Sequence, residues 1–331
     1  MNLKSLFENR EPLRVNATSF SWSRSRNSLF DLCKRAYFYN YYGAAGGWDQ
    51  YASAPAAQLY RLKGLRTAEE WACDVFTQAV QHVFTSRRPV AFPPDKALVQ
   101  LLSRRLHQIF QHGYADIICE KWREDHKALK LFEIYYADSP GREEQILTYC
   151  KQRIAQHLAA FSSTGLFSHL AATDAIYFRN FQSPVNFMLG DLEVWAAPTL
   201  IWQDEDRLKV LAVKPGTPGL PKAMQLHSAI FGMMAQQLFH GRQGGVDTVF
   251  YYTGAANCKP EIIVHEPVND YSDAIAQIRA SADKMLDKIY PDNSVHEEDF
   301  SAWEVAVKHI CGQCRFKEFC NPLNVIRTEI Q

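Results

Sequence analysis

The chain has 331 residues, enough for one large α/β domain with an insertion or for two smaller domains, and either arrangement can bury a sizeable core. Its 36 basic residues balance 36 acidic ones, which excludes nucleic-acid affinity driven by bulk charge and leaves any such contact to a local patch. The start Met1-Asn2-Leu3-Lys4-Ser5 lacks an apolar run and no stretch approaches a membrane span, so a cytoplasmic protein is expected, with its eight cysteines ligating metal or filling the core instead of pairing.

In chain order, the segment to about Tyr42 is polar and aromatic. An amphipathic helix over Phe30-Asp31-Leu32-Cys33-Lys34-Arg35-Ala36-Tyr37-Phe38-Tyr39 is expected to present Cys33 inward, ending at Gly43-Ala44-Ala45-Gly46-Gly47 because glycine tolerates the left-handed cap. From Arg66 to about Thr164 the pattern is helical: Leu98, Leu101, Leu102, Leu106 and Ile109 recur at three-to-four spacing after the start signal Pro93-Pro94-Asp95. Residues 66–164 therefore read as a helical layer or insertion.

A second regime begins near Ala175. Ile176-Tyr177-Phe178, Phe187-Met188-Leu189, Leu192 to Trp195, Thr199 to Trp202 and Leu208 to Val213 read as strands, with Asp204-Glu205-Asp206-Arg207 as the polar turn of a hairpin between the last two. Pro215 to Pro221 is a loop, and a helix spans roughly Lys222 to Phe239 with Leu226, Ile230 and Met233 on one face. Strands follow at Val246 to Tyr252 and Ile262 to Val264; Tyr271, Ile275, Ile278, Ala282, Met285 and Ile289 then form the apolar stripe of another helix. This order predicts an α/β fold, a mixed central sheet flanked by helices, as a single domain over 1–331 with its αβ core at 175–290.

The tail reads Cys311-Gly-Gln-Cys314-Arg-Phe-Lys-Glu-Phe-Cys320. Two thiolates separated by two residues reach one centre from a single turn, and a third after five more closes three corners of a four-sulfur site. Cys33 is the candidate for the fourth corner. Zinc and a 4Fe-4S cluster both fit such a set. Cys73, Cys119, Cys150 and Cys258 stand alone in apolar or mixed contexts and read as small core residues.

Ser19-Phe20-Ser21-Trp22-Ser23, then Phe30-x-x-Cys33-Lys34-Arg35-Ala36-Tyr37, together with the C-terminal cysteines, resembles the iron-sulfur branch of the PD-(D/E)XK nuclease superfamily, which includes RecB-like exonucleases and CRISPR-adaptation nucleases. The resemblance covers both ends and Phe187 to Phe239. It implies a restriction-endonuclease-like sheet and a 4Fe-4S cluster on Cys33, Cys311, Cys314 and Cys320 that clasps the termini across 19–43 and 300–322. In the family, one strand carries Pro-Asp and the next carries an acid, any residue, then lysine, so that two carboxylates hold magnesium or manganese and lysine steadies the attacking water.

On that template Pro198 is followed by Thr199, Ala212 stands where the second acid belongs, and Lys214 alone survives. The family's helix begins with glutamine and has tyrosine four residues on; here Gln225 is present and Ala229 takes the tyrosine position. After Trp71, where the family often has a metal-ligating histidine, stand Phe76 and Thr77. Phosphate-ester hydrolysis asks for barrier reductions on the order of 20 kcal/mol, much of it from metal ions, and a hydroxyl and a methyl cannot bind a hard hydrated cation as two carboxylates do. The expectation is a nuclease-like protein with a disabled cleavage site.

The alternative is an active metal-dependent DNA exonuclease or endonuclease using Asp191, Glu193 and Lys214, since Asp191 and Glu193 lie two apart and face one side of a strand. A solvated strand face is the favoured reading of the two acids, because charged residues rarely lie buried unpaired, and a lysine snorkelling to the sheet edge explains Lys214 as well as catalysis does. None of the 11 histidines has the paired spacing of a zinc protease; His227 falls off the helical face of Gln225, and Gly241-Arg242-Gln243-Gly244-Gly245 follows a helix where a phosphate-binding loop would open one.

For nucleic acid, Arg24, Arg26, Lys34 and Arg35 interleave with Trp22, Phe30, Tyr37 and Tyr39, a mixture suited to phosphate contact and base stacking; the same pattern also describes core aromatics with solvated cations. Single-stranded DNA or DNA ends are the expected nucleic-acid partners. Two non-enzymatic roles follow, a DNA-binding subunit and a purely structural partner-binding scaffold, and DNA repair and anti-phage defence are the settings the resemblance implies.

Overall fold

The computed structural model describes residues 11–86, 95–137, 141–173, 184–204, 207–239, 245–254, 259–300 and 311–320. In chain order the elements are β1 (Arg14–Asn16), β2 (Trp22–Ser23), α1 (Arg24–Leu32), α2 (Lys34–Phe38), a π-helical turn (Tyr39–Gly43), α3 (Ala54–Lys63), α4 (Ala68–Thr85), α5 (Asp95–Ile118), α6 (Phe132–Tyr135), α7 (Glu143–Ser162) and α8 (Gly165–Ala172). There follow β3 (Val185–Leu189), β4 (Leu192–Ala196), β5 (Leu200–Asp204), β6 (Arg207–Lys214), α9 (Pro221–Leu238), β7 (Val246–Tyr252), β8 (Glu261–His265), α10 (Ser272–Leu286) and β9 (Ser294–His296). The chain divides into two compact units: Met1–Leu65 with Arg123–Lys127 and Ala276–Gln331, and Arg66–Trp122 with Ala128–Ile275.

The second unit is mixed α/β. Its four-stranded sheet has the order β5-β6-β7-β8, with β6 and β7 parallel and the outer pairs antiparallel. A parallel pair needs a crossover, and α9 is the helix in that connection. Leu200, Trp202, Leu211, Val213, Val249 and Tyr251 put one sheet face into a core shared with Trp71, Phe76 and Phe84 of α4, Leu98 and Phe110 of α5, and Phe161 of α7. Within the 66–164 stretch, α4, α5 and α7 thus form a helical layer on that face. Its first helix is well started: Thr67 Oγ1 accepts from the Glu70 amide at 3.1 Å while the Glu70 carboxylate accepts from the Thr67 amide at 2.8 Å.

Most predicted elements match. β5 and β6 pair antiparallel with Asp204 opposite Arg207, and the expected helices at 222–239 and 271–289 form as α9 and α10. One expectation is corrected. Cys33 does not lie inside a helix: at φ −159° and ψ 108° it is extended, closing α1 through its amide bond to the Leu29 carbonyl (2.9 Å) and capping α2 by accepting the Ala36 amide on its sulfur (3.4 Å). The periodic pattern continues across it because capped helices joined end to end keep similar apolar spacing. Cys73 and Cys150 are buried as expected, whereas Cys119 is exposed just past the end of α5. Ile176–Phe178, Pro93, Pro94, Glu205, Asp206, Gly241–Gly244 and Cys258 lie outside the described residues.

The first unit is assembled from both ends of the chain. β1 pairs antiparallel with β9, Arg14 opposite His296. Behind it lies a core of Trp22, Tyr37, Phe38, Tyr39 and Tyr42 with Phe300, Phe316 and Phe319.

Candidate functional site

The cysteine region is built by packing between the chain ends. Phe316 and Phe319 are buried against the ring of Tyr39, with centroids 5.7 and 5.2 Å away. Arg315 donates to the Lys63 carbonyl at 3.1 Å, and Gln58 donates to Glu318, which fastens the 311–320 turn to α3. Local bonds from the Cys314 amide to the Cys311 carbonyl and from the Cys320 amide to the Phe316 carbonyl shape that turn.

This brings all four predicted thiols into one neighbourhood. Burial pushes the Cys320 thiol up to about 12; the Arg35 guanidinium opposes the rise, and Cys314, Cys33 and Cys311 add to it. Burial likewise raises Cys314, with Cys33 and Cys311 contributing in the same direction. Cys320 therefore feels the other three thiols and Cys314 feels Cys33 and Cys311, yet among the described residues no three His, Cys, Asp or Glu side chains converge as they stand on a point that would hold a metal ion. The donor set is chemically suited to a metal centre: four sulfurs, a backbone amide on Cys33 Sγ, and no carboxylate among them. Loading it requires loss of the thiol protons, which a bound metal drives.

A second fastening holds the ends independently of the cysteines. Buried Glu297 accepts from Tyr39 Oη (2.7 Å), Arg35 Nη1 (3.0 Å) and the Leu13 amide (2.9 Å), while Arg35 Nε donates to the Phe300 carbonyl at 2.6 Å.

The predicted nucleic-acid patch is therefore largely internal. Arg26, only 4% exposed, donates to Tyr37 Oη (3.1 Å), Tyr42 Oη (3.4 Å) and the Ser21 carbonyl (2.9 Å), and its guanidinium lies 4.4 Å from the Tyr41 ring and 4.5 Å from Phe20. Arg35 is held by Glu297 and Phe300. Trp22, Phe30, Tyr37 and Tyr39 are core residues with no face left for a base. Sequence interleaving could not separate these cases, because a cation beside tyrosines reads the same whether the ring stacks on a base or on arginine. Arg24 and Lys34 are the half-buried members, with Lys34 Nζ 6.0 Å from the Phe30 ring.

In the sheet, Thr199 lies buried across from Ala212 by the continued β5–β6 register. Its amide donates to the Leu211 carbonyl at 2.7 Å and its hydroxyl accepts from the Val213 amide at 3.0 Å, so the side chain is spent on the backbone of β6. Ala212 is buried opposite Phe250, and Lys214 ends β6 opposite Tyr252, its carbonyl accepting from the Thr253 amide. Gln225 is exposed on the first turns of α9 and Ala229 is buried one turn on. Asp191 sits exposed in the β3–β4 turn beside Gly190 at φ +67°, not on a strand, so it and Glu193 do not share a strand face; Glu193 accepts from Asn186 at 2.6 Å. That hairpin lies outside the four-stranded sheet that carries Lys214.

A polar group not anticipated from the sequence lies where α4 and α7 meet the end of β7. Arg153 donates to both carboxylate oxygens of Glu69 (2.9 and 2.5 Å) and to the Gly254 carbonyl (2.9 Å), and Tyr149 donates to Glu69 at 2.9 Å. His157 Nε2 is 4.0 Å from Glu69 and makes no hydrogen bond among the described residues. Burial lowers His157 to about 4, aided by Arg153, so the ring is neutral. No local signal could reveal a contact between residues 84 positions apart.

No protein-family model matches the chain, and no curated protein matches it. Among the described residues, no helix is long and apolar enough to cross a membrane.

Proposed function

We propose that this protein is a catalytically degenerate PD-(D/E)XK nuclease-like iron-sulfur protein of the cytoplasm, serving as a scaffolding or DNA-binding subunit in DNA processing, repair or anti-phage defence. The observation that carries this reading is the pair formed by Thr199, just before β5, and Ala212 of β6. Thr199 spends its hydroxyl on the Val213 amide and Ala212 is a buried methyl, so neither position next to Lys214 supplies a carboxylate for a divalent ion. The parallel β6–α9–β7 unit with an antiparallel strand on each side supports the restriction-endonuclease-like arrangement.

Cys33, Cys311, Cys314 and Cys320 would hold the 4Fe-4S cluster, with zinc as the competing occupant. When bound, the cluster supplies a covalent clasp between the chain ends. The protein's own part is to hold the half-buried Cys314 and Cys320 on a turn whose Phe316 and Phe319 are buried, and to set a backbone amide on Cys33 Sγ. Of the two roles, the scaffold is favoured, because Arg26 and Arg35 are committed inside the fold. A DNA-holding role falls to Arg24 and Lys34.

The test uses full-length protein purified without oxygen. Four irons per chain with cluster absorbance are expected, and no magnesium- or manganese-dependent DNA cleavage. Colourless, zinc-loaded protein would refute the cluster. Cleavage lost on replacing Lys214 or Asp191 would refute the degenerate site. Salt-dependent retention of single-stranded DNA, weakened in Lys34→Ala, would assign the DNA-binding role over the scaffold.

A further inference from the structure

We propose that the Arg153 guanidinium is a resident cation occupying a latent divalent-ion site, whose ligands are the Glu69 carboxylate, the Gly254 carbonyl and His157 Nε2. A carboxylate and a backbone carbonyl are the oxygen donors that hard divalent ions take, and a neutral imidazole completes a set acceptable to manganese. In the native protein one guanidinium bridges the first two: Nη2 lies 2.5 Å from Glu69 Oε1 and 2.9 Å from Gly254 O, and Nε lies 2.9 Å from Glu69 Oε2. Arg153 is 5% exposed and Gln156 accepts from its Nη1 at 2.8 Å, so every edge of the cation is engaged.

His157 supplies the independent sign of a missing ligand. The residue is 1% exposed, its Nε2 stands 4.0 Å from Glu69 Oε1, and that nitrogen has no hydrogen-bond partner among the described residues. A buried ring nitrogen without a partner is unfavourable, so an arrangement that keeps one beside a carboxylate is suited to a ligand it does not now bind. Gly254 is held by the chain itself: its amide donates to the Gly216 carbonyl at 2.9 Å, and its φ of +75° sets the backbone in a glycine-favouring conformation. Residue 254 follows directly on Thr253, whose amide bonds the Lys214 carbonyl, so the site lies at the end of the sheet that carries the degenerate positions. The guanidinium neutralises the one carboxylate there, and a divalent ion entering would have to displace it.

The experiment takes full-length wild type, Glu69→Gln, Arg153→Ala and Arg153→Ala/Glu69→Gln, and titrates each with manganese alone, reading bound ion by electron paramagnetic resonance and melting temperature in parallel. Arg153→Ala should bind one more manganese per chain than wild type, at least ten-fold more tightly than any wild-type site, with a rise in melting temperature; Glu69→Gln should abolish both. Should Arg153→Ala not fold, Arg153→Met keeps the packing volume and carries the same expectation. A folded variant that binds no additional manganese, or wild-type binding that Glu69→Gln removes, overturns the assignment. Neither the cluster nor DNA enters this measurement, so its failure is distinct from failure of the scaffold reading.

Discussion

At the scale of single residues, burial decides what charge can do. His157 faces Glu69 and Arg153 and is lowered to about 4 from an ordinary 6.5. The folded protein therefore accepts that proton at lower pH than the unfolded chain, and the unfolded state gains stability between those values as protons are added. Stability should be full above pH 6.5 and fall by on the order of 3 kcal/mol as pH drops toward 4, as read by urea unfolding across that window. His157→Gln should flatten the profile. Arg26 makes a different case: its guanidinium is satisfied by two tyrosine hydroxyls, a carbonyl and two ring faces, so Arg26→Ala should cost about 2–4 kcal/mol in unfolding free energy. Arg26→Lys should recover little, because an ammonium cannot reproduce the planar fork.

At the scale of elements, close approach is the recurrent constraint. Gly113 lets α5 pass the indole of Trp71, and a Cβ there would fall 2.5 Å from the Trp71 ring and 2.8 Å from Leu129. Gly113→Ala gains helix propensity of about 1 kcal/mol but must push the indole out of its stack on Phe110, so a net loss of about 1–2 kcal/mol is expected by thermal unfolding. The joint at Cys33 shows the limit of periodicity. Apolar spacing on both sides is helical, and only the extended backbone at one residue turns a buried helical cysteine into a cap with its sulfur at the joint. The strands were more legible: β5, β6 and β7 are short runs of apolar residues, β7 rich in β-branched and aromatic ones, and they appear within a residue or two of where the pattern places them.

At the scale of the whole molecule, the first unit closes the chain's two ends on each other in two ways. Glu297 ties Leu13, Arg35 and Tyr39 together, and Glu297→Ala leaves the half-buried Arg35 Nη1 and the buried Tyr39 phenol without their acceptor; a loss of about 3 kcal/mol is expected by urea unfolding. Under the proposed cluster, Cys33→Ser should deplete iron and remove a cross-link closing most of the chain, worth about 4–5 kcal/mol by loop-closure arithmetic. Iron content checks the first and denaturant midpoint the second. If the cluster is absent, Cys33→Ser should leave both nearly unchanged.

Some of this was determined by the sequence alone: the strand and helix order from β3 to α10, the polar hairpin between β5 and β6, the spacing of Cys311, Cys314 and Cys320, and the uncharged side chains of Thr199 and Ala212. These are local facts, written in residue type and interval. Tertiary structure decided that Arg26 and Arg35 point into the fold, that Asp191 belongs to a turn outside the main sheet, and that Arg153 meets Glu69. Each depends on which residues distant in the chain are packed together, and hydrogen-bond partners and desolvation, which set a charge's role, exist only once that packing has formed.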